Sequence, residues 1–261
     1  FWRENPDNHI DLYGNRERNL AYMLGPLLWV IHKDNQQEIS YNGVVILADR
    51  QKAILIGSVL GDGGFYGGGK NRSGNCYYYL KQSKEHREYV EWVYAEMQNL
   101  CGAPPKEKND IHRQWYFITR SDEAFTALRK MFYAERKMIP RNIGELLIDP
   151  LSIAVWYMED GTLDWRIKDH YAYRLVTNCF SIDENQTLVS VLKKNFGIDA
   201  TVQTTLIRGK RYPRIHIGRK GRDAFLRCVE PHIIGCFRYK LPPSITKPSE
   251  TSYKSKRWGL N

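Results

Sequence analysis

Two stretches of this chain are apolar on almost every side. Ala53, Ile54, Leu55, Ile56, Val59 and Leu60 would coat most of a short helix, and LSIAVWYMEDGT at 151–162 repeats the pattern. Helices that are apolar all round must be buried. Both end on the same punctuation, Gly-Asp-Gly-Gly at 61–64 and Asp-Gly at 160–161, which marks a helix C-terminus. The segments downstream of the two are alike. After the first come CYYYLKQS (76–83), a polar helix over 84–100, a strand over 114–121 and a helix over 122–132. After the second come YRLVTNCFS (173–181), a helix over 183–195, strands over 200–207 and 212–219, and a helix from Arg222. Each series closes on a lysine near a proline, KMIP at Lys137 and KLPP at Lys240. The same order used twice indicates a duplicated α+β unit.

The glycines around Asp62 invite another reading. Gly64-x4-Gly69-Lys70 matches most of a phosphate-cradling loop. The match fails, because position 71 is Asn where Ser or Thr must reach Mg²⁺. The preceding segment reads as a helix, no helix begins at Lys70, and the chain beyond lacks the strand–helix alternation of a nucleotide fold. Asp62 and Asp160 carry more. A carboxylate at a helix C-terminus faces the negative end of the macrodipole, at a cost of about 0.3–1 kcal/mol. A single Asp-Gly is an ordinary turn. Two, each ending a buried helix and each opening one copy of a repeat, suggest paired acids beside a pseudo-twofold axis. Like charges that close require a cation, and carboxylate oxygens suit Mg²⁺ or Mn²⁺. Gly57 and Gly61 would give the first helix a smooth face for close approach.

Charge narrows the partner. The 261 residues carry a net charge of +10, while residues 1–50 carry five Lys/Arg and seven Asp/Glu, so the excess lies beyond them. RGKRYPRIHIGRKGR (208–222) holds seven Lys/Arg and no acid. That excess points to a polyanion. The five cysteines form no C-x-x-C pair, which fits neither a disulfide framework nor a zinc knuckle, and most of them read as buried small hydrophobes. The apolar run Met23–Ile31 is too short to cross a bilayer. The expectation is an intracellular protein of an organelle matrix, nucleus or prokaryotic cytoplasm, with no membrane partner.

LIGSVLGDG (55–63) and IAVWYMEDG (153–161) resemble the two signature motifs of the LAGLIDADG homing endonucleases, in the single-chain two-repeat form. The second, continuing as WYMEDGTLDW, is similar to the intron-encoded omega-type branch. The resemblance runs from about Gln51 to Pro243 and includes KMIP and YKLP. It departs at Val155 and Glu159, which stand opposite Gly57 and Gly61, so the second helix is expected to pack less closely. The resemblance implies αββαββα units with two antiparallel saddle-shaped sheets on DNA. Residues 51–150 and 151–245 would be the repeats, 1–50 an extension of unknown role and 246–261 a basic tail. It implies a monomeric intron-homing nuclease that cuts a long, near-asymmetric double-stranded target across the minor groove and leaves short 3′ overhangs.

Carried over by motif position, Asp62 and Asp160 would hold Mg²⁺, with Mn²⁺ substituting and Ca²⁺ occupying the site without cleavage. The carbonyls of Gly61 and Glu159 would add oxygens, the Glu159 side chain being a lesser candidate. Lys137 and Lys240 would serve one active site each, and Gln82 would order solvent. Alternation then assigns strand faces. Thr201, Gln203 and Thr205 share one face of 200–207, and Arg214 and His216 point away from Ile215 and Ile217. These could read base edges, with Arg208, Lys210 and Arg211 on phosphates. In the first repeat Lys70, Arg72, Lys81 and Arg120 are the candidates, with a flexible loop GGFYGGGKNRSGN on DNA, and Arg166 is the counterpart in the second. The alternative is a maturase bound to its own intron RNA, or a binding protein that kept the fold and lost cutting.

Overall fold

The computed structural model describes residues 40–41, 44–67, 74–109, 111, 113–166 and 170–243. A short hairpin, β1 (Ser40–Tyr41) and β2 (Val44–Val45), precedes two units of like order. The first contains α1 (Asp49–Leu60), β3 (Gly64–Tyr66), β4 (Tyr77–Gln82), α2 (Arg87–Glu96), β5 (Lys106–Glu107), β6 (Trp115–Ile118), α3 (Glu123–Phe132) and the single turn α4 (Ile143–Leu146). The second contains α5 (Pro150–Asp160), β7 (Gly161–Arg166), β8 (His170–Val176), α6 (Ile182–Phe196), β9 (Thr201–Ile207), β10 (Lys210–Ile217) and α7 (Arg222–Val229). A 3-10 segment, Gly235–Lys240, comes after α7. The sheets are antiparallel with matching topology, β3-β4-β6-β5 and β7-β8-β10-β9. The fold is thus the duplicated α+β architecture. Among the described residues no helix is long and apolar enough to cross a membrane.

Local signals explain the helix ends. Asp149 accepts the Leu151 N–H at 2.8 Å and Pro150 opens α5, where its missing N–H costs nothing. Ser181 and Glu184 form a reciprocal capping box on α6, which ends at Gly197 with φ +68°. Leu151 to Met158 are all buried, as are Ala53 to Leu60, so α1 and α5 lie at the centre of the described fold. Each sheet turns one apolar face inward, Phe65, Tyr78, Leu80 and Phe117 in the first and Tyr173, Leu175, Ile215 and Ile217 in the second. Every such side chain contributes about 1.5–3 kcal/mol.

The two central helices fit because their residues are complementary. A Cβ on Gly57 would lie 2.4 Å from the Ser152 carbonyl oxygen and 2.8 Å from Val155 Cβ. Ser152 Oγ donates to the Ala53 carbonyl at 2.8 Å. Val155 and Glu159 therefore do not loosen the packing as expected; they occupy room that Gly57 and Gly61 leave on the other helix.

Strands β3 and β7 are additions to the sequence reading. Each begins within two residues of its aspartate, and Gly64–Tyr66 falls in a stretch that reads as a flexible loop. All five cysteines are free, but only Cys76 and Cys101 are buried; Cys228 and Cys236 are half-buried and Cys179 is exposed. The small-hydrophobe reading holds for two of them.

Candidate active site

Helices α1 and α5 deliver Asp62 and Asp160 to one end of the central pair. Asp62 is exposed, two residues past α1, and Gln82 Nε2 at the end of β4 donates to its Oδ2 at 2.7 Å. Gln82 therefore orients a carboxylate. Asp160 is the last residue of α5. Burial pushes its carboxyl up to about 7, the charge of Asp62 adds to this, and Lys137 and Lys240 oppose it. The two acids thus feel each other, although they come from different repeats.

The lysines are not equivalent. Lys137 Nζ donates to the Gly61 carbonyl at 2.8 Å. Lys240 Nζ instead donates to the carbonyls of Met158 at 2.6 Å and Tyr157 at 3.2 Å, and the Tyr157 hydroxyl donates to the Lys240 carbonyl at 2.7 Å. Lys240 thus sits earlier on its helix relative to Asp160 than Lys137 does relative to Asp62. Lys240 is buried, and desolvation lowers its ammonium to about 8 against the pull of Asp160, Asp62 and Glu159.

Glu159 departs most from expectation. Its side chain crosses to the first repeat. Oε2 accepts the N–H of Asp62 at 2.6 Å and of Gly63 at 3.2 Å. Oε1 accepts from Ser58 Oγ and from the Tyr89 hydroxyl, both at 2.7 Å. Burial raises its carboxyl to about 8, with the charge of Asp62 next, and the hydrogen bonds from Tyr89, Ser58 and Asp62 oppose the rise. When the carboxyl is protonated, either hydroxyl oxygen can accept its hydrogen bond, so the contacts are compatible with both charge states.

The donor set suits a hard cation. Asp62, Asp160 and the Gly61 carbonyl offer oxygen only, and the mutual repulsion of the acids is what a cation would relieve. Among the described residues no cluster of three or more His, Cys, Asp or Glu could hold a metal. A cation here would therefore draw further ligands from water and substrate oxygens.

Away from the central helices, each sheet has an open face. On the second, β10 pairs Arg214 with Gln203 and His216 with Thr201, and on its other side Arg214 with Val176 and His216 with Arg174. Thr201, Gln203, Thr205, Arg214 and His216 therefore share one face, joined by Arg174 and Tyr212. Thr205 Oγ1, Arg174 Nε, Arg214 Nε and His216 Nδ1 are covered yet find no hydrogen-bond partner among the described residues. Burial and the charges of Arg174 and Arg214 lower the His216 pKa, which favours the neutral imidazole. Arg208 (φ +47°) and Gly209 (φ +78°) make the two-residue turn between β9 and β10, both left-handed as a type I′ hairpin requires. Lys210 shares the polar face, whereas Arg211 has the parity of Pro213 and Ile215 and points to the other side.

On the first sheet Tyr78, Leu80 and Gln82 face inward, while Tyr77, Tyr79 and Lys81 face outward. Tyr66, Tyr77, Tyr79 and Tyr116 form a run of ring contacts at 5.6–6.3 Å, and Lys106 stands over Tyr116. Arg120 is exposed, but its guanidinium donates to the Asn99 carbonyl at 2.6 Å and the Cys101 carbonyl at 3.5 Å, an anchoring contact. Arg166 is exposed and 3.8 Å from Asp164, which also pairs with Arg174. Lys70 and Arg72 lie outside the described residues. Sequence reasoning missed Arg174, whose alternation with Tyr173 and Leu175 was the available signal, and Ser58 and Tyr89, for which there was none.

The family model described as the LAGLIDADG DNA endonuclease family matches residues 52–225. The chain belongs to this family. Among its curated relatives, the DNA endonuclease I-ChuI of Chlamydomonas applanata is 28% identical over 211 residues, covering 75% of this chain and 95% of that protein. The cytochrome b mRNA maturase bI2 of Debaryomyces hansenii is 24% identical over 198 residues, covering 72% of each. In fold the chain is similar to the homing endonuclease I-WcaI, solved bound to its DNA recognition sequence. The TM-score is 0.64 at 24% identity, covering 75% of this chain and 87% of that one. For a LAGLIDADG protein the paired helices and twin sheets are thus the expected frame.

Proposed function

We propose that this LAGLIDADG protein is a site-specific double-strand DNA endonuclease that hydrolyses one phosphodiester in each strand across the minor groove and leaves short 3′ overhangs. The observation that carries the reading is the pair of aspartates at the ends of adjacent buried helices, each with a lysine on nearby backbone carbonyls. Asp62 and Asp160 would hold Mg²⁺ or Mn²⁺, with the Gly61 carbonyl as a further oxygen. A bound divalent cation would neutralise scissile phosphate charge and acidify the attacking water. Gln82 fixes the aim of Asp62, and the Lys137 and Lys240 ammoniums offset charge that develops at phosphorus.

The open sheet faces would lie in successive major grooves. They differ in chemistry: tyrosines with Lys81 and Lys106 on the first, and Arg174, Arg214, His216, Gln203 and Thr205 on the second. One chain with two unlike faces implies a monomer on a near-asymmetric target. The test is digestion of a randomised duplex library with Mg²⁺, with sequencing of the ends. One recurrent site with 3′ overhangs supports the reading. No cutting, together with tight binding to a structured intron RNA, supports instead a maturase role, which the similarity to bI2 makes the second reading.

A further inference from the structure

The two aspartates are pseudo-equivalent, but the residues before them are not. Gly61 has no side chain, and a Cβ there would lie 2.5 Å from Glu159 Oε2 and 2.7 Å from Glu159 Cβ. Glu159 therefore fills the space that Gly61 leaves open. Its four hydrogen bonds all go to the first repeat, to the N–H groups of Asp62 and Gly63 and to the hydroxyls of Ser58 and Tyr89. The anchor is firm, because Ser58, Tyr78 and Tyr89 are buried and the Tyr78 and Ser58 hydroxyls share a 2.7 Å hydrogen bond. Among the described residues no reciprocal arm reaches Asp160. The N–H of Gly161, just after it, bonds within its own helix to the Tyr157 carbonyl.

The geometry points to Glu159 as a positioning residue that builds the Asp62 half of the cutting site from the opposite repeat, so that cleavage of the two DNA strands depends on it unequally. This rests on the endonuclease reading above. Asp62 lies beyond the end of α1, in a glycine-flanked turn whose Asp62 N–H is held by Glu159. The flanking Gly61 and Gly63 N–H groups also bond back to the Gly57 and Ser58 carbonyls, and Gln82 orients the Asp62 side chain, but the Asp62 N–H itself is held by Glu159. Asp160 needs no such support, since it ends a regular helix. Loss of the Glu159 carboxylate therefore releases the Asp62 N–H and loosens the tip of the turn, and leaves Asp160 in place. A misplacement of about 1 Å at a reacting centre can cost about 100-fold in rate.

The test compares wild type with Glu159→Ala and Glu159→Gln on a duplex carrying a different label on each strand. Glutamine can accept from the Asp62 N–H through its oxygen and donate to the Ser58 or Tyr89 oxygen through its nitrogen. In Glu159→Ala the ratio of the two strand-cleavage rates should shift at least about tenfold from wild type, leaving a nicked product. In Glu159→Gln the ratio should stay within about threefold of wild type, because the acceptor is retained. A second readout requires neither DNA nor metal. Amide hydrogen exchange at Asp62 should accelerate at least about 100-fold in Glu159→Ala, far more than at Leu80 in the adjoining strand. Equal slowing of both strands, or unchanged exchange at Asp62, would overturn the assignment. So would a Glu159→Gln protein that behaves like Glu159→Ala. If the wild-type protein cuts no DNA while Asp62 exchange still responds as expected, the endonuclease reading fails and the structural clamp stands.

Discussion

Gly57→Ala isolates the fit between the two central helices. The added Cβ would sit 2.4 Å from the Ser152 carbonyl oxygen and 2.8 Å from Val155 Cβ. The first of these is backbone, so it cannot rotate away, and the helices must separate by about 1 Å to restore ordinary contact. Overpacking of this kind costs about 1–3 kcal/mol, and a backbone obstacle places it near the top of that range. Against this, alanine in place of glycine gains about 1 kcal/mol of helix propensity. The net loss is about 2 kcal/mol, which lowers Tm by about 4–8 °C in a protein of this size. Gly144→Ala is the internal control. Its Cβ would meet Val191 Cγ2 at 3.5 Å, an ordinary contact, so the propensity gain should appear undiminished as a small rise in Tm. Differential scanning fluorimetry of the two variants in EDTA provides the measurement. A Gly57→Ala protein as stable as wild type would refute the close-packing account.

Stability of the metal-free protein should fall as pH rises from about 4 to 7, because Asp160 is raised from its ordinary 3.8 to about 7 and stability is lost as pH rises through the folded value. Glu159, raised to about 8, extends the fall, whereas Lys240, lowered to about 8, works the other way above that pH. Thermal melts across pH 5 to 8 check this trend, and Mg²⁺ should raise Tm more at the upper end than at the lower. Arg214→Ala should relax base preference at one position of the second half-site by about 1–3 kcal/mol, measured by competition binding. Lys210→Ala should weaken binding to all sequences alike and reduce the salt slope by about 1. An Arg214→Ala protein with unaltered base preference would remove that residue from base reading.

The central helices were legible because their apolar residues leave no polar face and both end on Asp-Gly. Strand faces were legible wherever apolar and polar residues alternate cleanly, as at Arg214, Ile215, His216 and Ile217. The same rule places Arg174, but Tyr173, Leu175 and Val176 around it make β8 read as buried on both sides. Tyr77, Tyr78 and Tyr79 give no contrast at all, and only the pairing with β6 decides which rings point inward. Strands β3 and β7 were hidden because they come after the aspartates with almost no linker, and Gly64–Tyr66 is too short to show a period. The Glu159 contact depends on the approach of helices that are far apart in sequence. Its only trace is Gly61, which reads as a smooth surface without revealing what the space is for. The offset of Lys240 from Lys137 likewise results from where the 3-10 turn at 235–240 sets down, which no spacing in the chain displays.

The paired aspartates are tested most directly by measuring cleavage and binding together for Asp62→Asn and Asp160→Asn. Asparagine keeps the shape of the side chain and removes the charge that a cation requires. Once the target is known, each variant should bind it with near-wild-type affinity and give no linear product in Mg²⁺. Double-strand cutting at the wild-type rate by either variant would contradict the assignment of a two-aspartate cutting site.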